Sequence, residues 1–146
     1  MNIKKATLSD LESVAYLFNE YRIFYMQPSN IEGARKFIQE RLTTGDSVIF
    51  LAGDDQGMIG FTQLYPTFTS IGMKRAWILN DLYVSEEARG SGVGEALLHK
   101  ARVFAGETGA ASISLSTAPD NETARRLYEK NGYHQDQTFL HYELEL

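Results

Sequence analysis

The chain has no cysteine among its 146 residues. This excludes disulfide bonds, thiolate metal sites and a cysteine nucleophile. Long apolar runs are also missing, because none approaches the ~20 residues of a membrane-spanning helix, and residues 1–7 lack the hydrophobic stretch of a signal peptide. We therefore expect a cytoplasmic protein with no membrane partner.

Positive charge is in deficit, with 14 Lys and Arg against 19 Asp and Glu, a net charge of −5. This balance argues against a nucleic-acid partner and suits a cationic substrate, although it also serves solubility. The three histidines, His99, His134 and His141, are not clustered as metal ligands, so no metal is expected. The length, with no repeat or proline-rich linker, predicts a single domain over residues 1–146.

Residues 84–98 form the most informative stretch, in which a strand leads into a glycine-rich loop and then an apolar-periodic helix. Gly90, Gly92 and Gly94 allow sharp bends and close approach to a ligand. The N–H groups in the first turn of the helix can donate to phosphate oxygens, and Arg89 adds a positive charge. The layout predicts a pyrophosphate site.

This loop differs from the common nucleotide loops. A Walker A loop requires Lys and Ser/Thr after its last glycine, whereas Glu95 and Ala96 follow Gly94 here. A dinucleotide fingerprint belongs at the first strand-to-helix turn, whereas these glycines lie past the middle of the chain. From the loop alone, a flexible surface turn remains an alternative.

The stretch Arg89 to Gly94 fits the pattern Arg/Gln-x-x-Gly-x-Gly/Ala. It resembles the GCN5-related N-acetyltransferase (GNAT) family, whose loop of this form holds the pyrophosphate of acetyl-coenzyme A (acetyl-CoA). The resemblance implies that acetyl-CoA is the co-substrate. It assigns six residues to acetyl-CoA binding, namely Arg89, Gly90, Ser91, Gly92, Val93 and Gly94.

Residues 120–133 also resemble the family, in which an asparagine opens a helix, a tyrosine follows two turns later and a glycine-aromatic pair ends it. Asn121, Tyr128 and Gly132 occupy these positions. The resemblance implies that Asn121 contacts the cofactor arm, and asparagine is also an ordinary helix cap. It further implies that backbone N–H groups of the strand before the glycine loop, at Leu82, Tyr83 and Val84, bind the pantetheine arm and thioester carbonyl.

Apolar periodicity predicts seven strand candidates and four helices. The strands fall at residues 3–6, 47–53, 58–65, 77–84, 112–117, 133–138 and 139–145, with a loop at 66–75. The order predicts an α+β fold with a mixed sheet and helices on both faces. The family resemblance implies a mostly antiparallel sheet of 6–7 strands, with a splayed parallel strand pair that holds the cofactor.

Acetyl transfer from a thioester to an amine requires a neutral amine, a stabilised oxyanion and a proton for the thiolate. Tyr128 is the candidate general acid, since a phenol with a pKa near ~10 is protonated at neutral pH. A packed core aromatic is the alternative for this residue. Family resemblance favours the acid.

The group that deprotonates the amine is less defined. The segment 79–84 resembles the polyamine and thialysine acetyltransferase branch, in which a glutamate assists amine deprotonation through water. Asn80 replaces that glutamate and cannot accept a proton at neutral pH. Asp81 remains, on the opposite strand face by alternation. It either assists deprotonation through ordered water, orients the acceptor ammonium group or satisfies backbone donors.

The acceptor is expected to be a small primary amine, and a cationic one by the branch resemblance. A protein acceptor, modified at its N-terminus or a lysine, is the alternative. A non-catalytic acetyl-CoA sensor and a domain without a ligand also remain open. Alternating apolar residues in 133–146 either pair with a second copy as a homodimer or close the monomer's own sheet.

Overall fold

The computed structural model describes residues 1–146 and divides into two compact units, residues 1–116 and 117–146. The larger unit holds the sheet and three helices, and the smaller unit holds one helix. The single domain expected for the whole chain stays a prediction. None of the helices combines the length and apolar character that crossing a membrane requires.

The larger unit contains one five-stranded sheet in the order β1-β2-β3-β4-β5. Its elements are β1 Asn2–Lys5, α1 Leu11–Phe24, α2 Ile31–Thr44, β2 Val48–Asp54, β3 Gly57–Thr69, β4 Lys74–Val84, α3 Val93–Glu107 and β5 Ile113–Ser114. The first three strand pairings are antiparallel and the last is parallel. The mixed, mostly antiparallel α+β sheet is thus confirmed, whereas the expected count of 6–7 strands is wrong.

Strand alternation distributes the core over both faces of the sheet. Ile49 and Leu51 of β2 belong to the buried cluster that also contains Val14 of α1. The intervening Phe50 faces the other way, where its ring lies 5.4 Å from that of Phe104 in α3. Helices therefore cover both faces of the sheet in the larger unit.

The hairpin of β3 and β4 is longer than the sequence predicts. Residues 66–75 were expected to form a loop, but β3 continues to Thr69 and β4 begins at Lys74. The ladder runs on through Pro66, which is paired with Trp77. The Arg75 guanidinium stacks over the Trp77 ring at 5.4 Å, so side-chain packing supports this extension.

The parallel pair of β4 and β5 is brief. It joins only Trp77 to Ile113 and Ile78 to Ser114, although β4 continues to Val84. The expected strand at 112–117 is correspondingly shorter. From residue 79 onward, one edge of β4 is left without a strand neighbour. The splayed pair that holds the cofactor stays a prediction.

The smaller unit contains α4, Glu122–Lys130. Asn121 caps it, because its side-chain oxygen accepts a hydrogen bond from the Ala124 N–H at 3.2 Å. The strands expected at 133–138 and 139–145 are absent, and this prediction is wrong. A strand exists only where its backbone groups meet a hydrogen-bonded neighbour, and apolar periodicity alone does not supply one.

Candidate active site

The glycine loop adopts the conformation that its sequence suggests. Gly90 has φ +82° and Gly92 has φ +86°, values that a residue with a Cβ adopts only at a cost. Gly92 is the N-cap of α3, and no side chain caps the helix there. The start of α3 therefore presents backbone donors instead of a capping side chain, as an anion site requires.

Gly60 of β3 allows the first turn of α3 to pack closely against the sheet. A Cβ at this position would lie 2.9 Å from the carbonyl oxygen of Tyr83 and 3.3 Å from Cγ1 of Val93. Only glycine permits that approach, so the first turn of α3 packs directly beside the end of β4.

Arg89 is fixed between the loop and α1. Its Nε donates to the carbonyl oxygen of Val84 at 2.9 Å. Its guanidinium lies 5.2 Å from the ring centre of Phe24 and 5.6 Å from that of Tyr83. These contacts hold the charge beside the glycine loop, and the cation–π contact with Phe24 has no signal in the sequence. The role of Arg89 in binding a pyrophosphate stays a prediction.

The backbone of β4 presents donors to its open edge. The N–H of Ser85 donates to the Ile59 carbonyl on β3 at 2.8 Å. Hydrogen-bonded and non-bonded pairs alternate along an antiparallel ladder, so the N–H groups of Leu82 and Val84 point away from β3. That of Tyr83 points toward it.

A β-bulge interrupts β4 at the candidate site. Gln63 pairs with Asp81 and the next residue, Leu64, pairs with Leu79, which leaves Asn80 as the extra residue. The Asn80 amide donates to Asp81 Oδ1 at 3.1 Å. The expectation that alternation separates these two side chains is therefore wrong, because the bulge breaks the alternation.

Asp81 is a buried carboxyl group, 3% exposed. Its Oδ2 accepts from Gln63 Nε2 at 2.6 Å, and the nearby Tyr21 hydroxyl interacts with the carboxyl group and lowers its pKa. Gln63 is itself anchored, since its Oε1 accepts from the Ser47 hydroxyl at 2.8 Å. Burial raises the pKa of Asp81 despite the donors around it.

Two tyrosines border this carboxyl group. The Tyr21 hydroxyl lies 3.3 Å from the carbonyl oxygen of Asn80. Burial, with the nearby charge of Asp81, raises the pKa of Tyr65 to about 12. A protonatable carboxyl group thus lies among hydroxyl and amide donors, an arrangement able to hold a proton taken from a substrate.

Tyr128 and Asn121 belong to the smaller unit. The Tyr128 ring lies 6.0 Å from that of Tyr133, and the side chain is half-buried. Their roles as general acid and cofactor contact stay predictions. No group of three or more His, Asp or Glu side chains is placed to hold a metal ion.

Sequence reasoning missed Gln63 and Ser47, the inner partners of the Asp81 network. A signal for Gln63 is present in the sequence, because Thr62 and Gln63 are adjacent polar residues inside the mostly apolar predicted strand 58–65. Both are wholly buried, and Thr62 Oγ1 donates to the Asp81 carbonyl at 2.8 Å. Buried polar side chains are rare unless paired, so such a pair marks a network.

The model of one family, the acetyltransferase (GNAT) family, matches residues 14–133 of this chain. The chain belongs to the GNAT family. It is therefore an N-acetyltransferase by type. The likeness to the polyamine and thialysine branch stays a prediction.

Individual relatives agree with the family. A Bacillus subtilis (strain 168) protein named an uncharacterized N-acetyltransferase is 50% identical over 142 residues, 97% of this chain and 95% of that protein. A crystal structure of a probable acetyltransferase is 47% identical, with a TM-score of 0.95 over 100% of this chain and 98% of that one. A predicted acetyltransferase from Clostridium acetobutylicum, solved with acetyl-CoA, has a TM-score of 0.78 at 18% identity over 97% and 95% of the two chains. This last likeness shows the shared fold.

Proposed function

We propose that this GNAT protein transfers the acetyl group of acetyl-CoA directly to a primary amine, and that its acceptor is a small cationic amine. The observation that carries the proposal is the uncapped start of α3, with Gly92 in the left-handed conformation, beside the unpaired edge of β4. A cytoplasmic location stays a prediction of the sequence.

The donor half of the site would consist mainly of backbone groups. The N–H groups in the first turn of α3, after Gly90 and Gly92, would bind the pyrophosphate. Arg89, fixed by the Val84 carbonyl, adds positive charge, and the Leu82 and Val84 N–H groups would receive the thioester arm. Glycine conformation and an open strand edge fit the co-substrate, and a structural neighbour was solved with acetyl-CoA.

The proton chemistry would be divided between two side chains. Asp81, with a pKa raised by burial, would take up the proton that the acceptor ammonium group must lose. Tyr128 would donate a proton to the departing thiolate, because a phenol is protonated at neutral pH. Asn121 would support the cofactor arm near the start of α4.

The surroundings of Asp81 support a cationic acceptor. A carboxylate in a poorly solvated position attracts an ammonium group more strongly than one in water. The rings of Tyr21 and Tyr25 lie near the site with centroids 5.1 Å apart, and aromatic faces also favour cations. The net charge of −5 adds a weaker attraction of the same sign.

A homodimer is the second part of the proposal. Residues 133–146 contain no strand or helix, yet Leu140, Tyr142, Leu144 and Leu146 alternate along the chain, each more than 80% exposed. Such a segment suits pairing with a second copy. Sedimentation of the intact chain and of a chain ending at residue 138 tests this. The intact chain should be a dimer and the shorter chain a monomer, and the same oligomeric state for both would contradict the proposal.

The acceptor test is a panel assay. Coenzyme A release from acetyl-CoA is followed with spermidine, putrescine, tyramine and glucosamine, and with peptides that offer a free N-terminus or a lysine. The proposal predicts saturable release with a small amine. Higher kcat/KM with peptides would assign a protein acceptor, and tight acetyl-CoA binding without amine-dependent release would indicate a sensor.

A further inference from the structure

The Asp81 carboxyl group is closed to a dissolved substrate. It is 3% exposed, its oxygens accept hydrogen bonds from the amides of Gln63 and Asn80, and the Tyr21 hydroxyl, which donates to the Asn80 carbonyl, also interacts with it. An acceptor ammonium group cannot reach the carboxylate without displacing one of these donors. If Asp81 receives the proton of the amine, another side chain has to carry it there.

The three donors differ in what they can carry. Gln63 and Asn80 contact Asp81 through amide nitrogens, which donate hydrogen bonds but accept no proton at neutral pH. The hydroxyl of Tyr21 can give up one proton while its oxygen accepts another. Tyr21 is therefore the one donor among them with the chemistry of a relay.

The positions of the donors agree with this distinction. The contact between Gln63 and Asp81 is buried, whereas the contact of the Tyr21 hydroxyl with the Asn80 carbonyl is exposed to solvent. Tyr21 thus reaches from the surface of the site to the buried carboxyl group.

The ring of Tyr21 is held in place by other aromatic rings. It packs edge-on against Phe61 with centroids 5.9 Å apart and against Tyr83 with centroids 6.4 Å apart. A ring packed in this way presents its hydroxyl in a defined position beside Asn80 and Asp81 without a contribution from the acceptor.

We propose that Tyr21 is a further catalytic residue, whose hydroxyl contacts the acceptor amine and relays its proton to Asp81. The inference rests on the proposed acetyl transfer. The Tyr21 hydroxyl turns its proton from the Asn80 carbonyl to Asp81. An N–H bond of the ammonium group then breaks as an O–H bond forms on Tyr21, while the original O–H bond of Tyr21 breaks and its proton forms an O–H bond on Asp81. The ammonium and carboxylate become a neutral amine and a neutral carboxyl group, and the freed lone pair attacks the thioester.

Other titratable groups surround this pair. Tyr65 of β3 interacts with the charges of Asp81, of Arg41 in α2 and of Asp46. Tyr83 of β4 lies among the charges of Arg89, Glu20 of α1 and Glu87. All of these groups are retained when only the Tyr21 hydroxyl or the Asp81 charge is removed. They are therefore the same in every variant whose pH profile is compared with that of the unmodified protein.

The test compares Tyr21→Phe, Asp81→Asn and the double variant with the unmodified protein. kcat/KM is measured against pH with acetyl-CoA and the panel amine that gives the highest value. We expect Tyr21→Phe to lose roughly 100-fold near pH 7. The loss should shrink as the pH approaches the pKa of the amine, because free amine needs no base. The double variant should be no slower than the slower of the two single variants, since both residues belong to one relay.

Tyr16→Phe is the matched control, because Tyr16 lies on the same helix and is exposed outside the site. Unchanged acetyl-CoA affinity of Tyr21→Phe shows that the fold is intact. A Tyr21→Phe profile parallel to that of the unmodified protein, a change confined to KM, or additive losses in the double variant would overturn the relay. If the unmodified protein shows no amine-dependent turnover, the acetyl-transfer proposal itself fails, a result distinct from these.

Discussion

Gln63 Nε2 lies 2.6 Å from Asp81 Oδ2, and both side chains are buried. The contact joins two neighbouring strands of the sheet at the point where a bulge displaces Asn80. Because Gln63 is tied in turn to the Ser47 hydroxyl, the carboxyl group is held from inside the protein and meets the site through Tyr21 and Asn80.

Replacing Gln63 tests the importance of this support. Gln63→Leu removes a donor from Asp81 and leaves the Ser47 hydroxyl without that acceptor. We expect the free energy of unfolding to fall by about 1–3 kcal/mol, measured by urea denaturation at pH 7. Gln39→Leu, at an exposed position of α2, should stay within about 0.5 kcal/mol of the unmodified protein. Equal effects of the two substitutions would contradict the network.

The raised pKa of Asp81 predicts how stability depends on pH. Burial favours the neutral carboxyl group in the folded state, so the stability linked to it is complete below the unfolded pKa of ~3.9 and is lost as pH rises through the folded pKa. The free energy of unfolding of Asp81→Asn minus that of the unmodified protein should therefore increase from pH 4 toward pH 8.

Asp10 provides a control of opposite sign. Burial would raise its pKa, but the hydrogen bond and charge of Lys4, 2.6 Å away, with the Thr7 donors, lower it. Its stabilising effect is therefore present above the unfolded pKa and is lost as pH falls through the lowered value. For Asp10→Asn, the same difference should increase toward acid pH. A pH-independent difference for Asp81→Asn would contradict the assignment of its pKa.

The positive φ of Gly92 predicts a selective effect on acetyl-CoA binding. Gly92→Ala places a Cβ in the left-handed region, at a cost of about 1–2 kcal/mol. If the loop relaxes to relieve this strain, the N–H groups of α3 lose their alignment. We expect acetyl-CoA affinity to fall at least tenfold by isothermal titration calorimetry.

Gly106→Ala is the matched control for this change. Gly106 lies in the last turn of α3 without a positive φ, and a Cβ there would meet nothing within 4 Å. We expect a gain of about 0.5–1 kcal/mol in stability and unchanged affinity. The anion-site assignment fails if Gly92→Ala binds acetyl-CoA as tightly as Gly106→Ala does.

The general acid is tested by Tyr128→Phe, which removes one hydroxyl and keeps the ring beside Tyr133. We expect kcat to fall roughly 100-fold or more, with acetyl-CoA affinity unchanged, because the proton is needed only when the thiolate leaves. Tyr16→Phe should leave both parameters unchanged. Similar kcat values for the two variants would contradict the general-acid role and indicate that Tyr128 is a packed aromatic residue.

The sequence predicts the parts of this fold that depend on local chemistry. The conformation of the glycine loop and the presence of four helices follow from residue type and spacing, and the structure confirms them. The bulge at Asn80 could not be predicted in the same way. It depends on the register between β3 and β4, which no local pattern records, so alternation placed the Asn80 and Asp81 side chains on opposite faces.

The C-terminal residues also show that a local sequence pattern does not determine which backbone groups are paired. Alternating apolar residues predicted two strands after Gly132, and none is present. The pattern describes side chains that suit a sheet, but a strand also requires a neighbour for its backbone groups. Gln63 is the opposite case, because the polar pair that it forms with Thr62 is visible in the sequence, whereas its partner, Asp81, can be identified only in the fold.

The most direct test of the account is the fate of the acetyl group. The protein is incubated with acetyl-CoA labelled with 13C in the acetyl group and with the best panel amine, and the products are identified by mass spectrometry. The account predicts a labelled N-acetyl amide formed in equal amount to free coenzyme A. Release of coenzyme A with labelled acetate and no labelled amide, or no release with any acceptor, would contradict it.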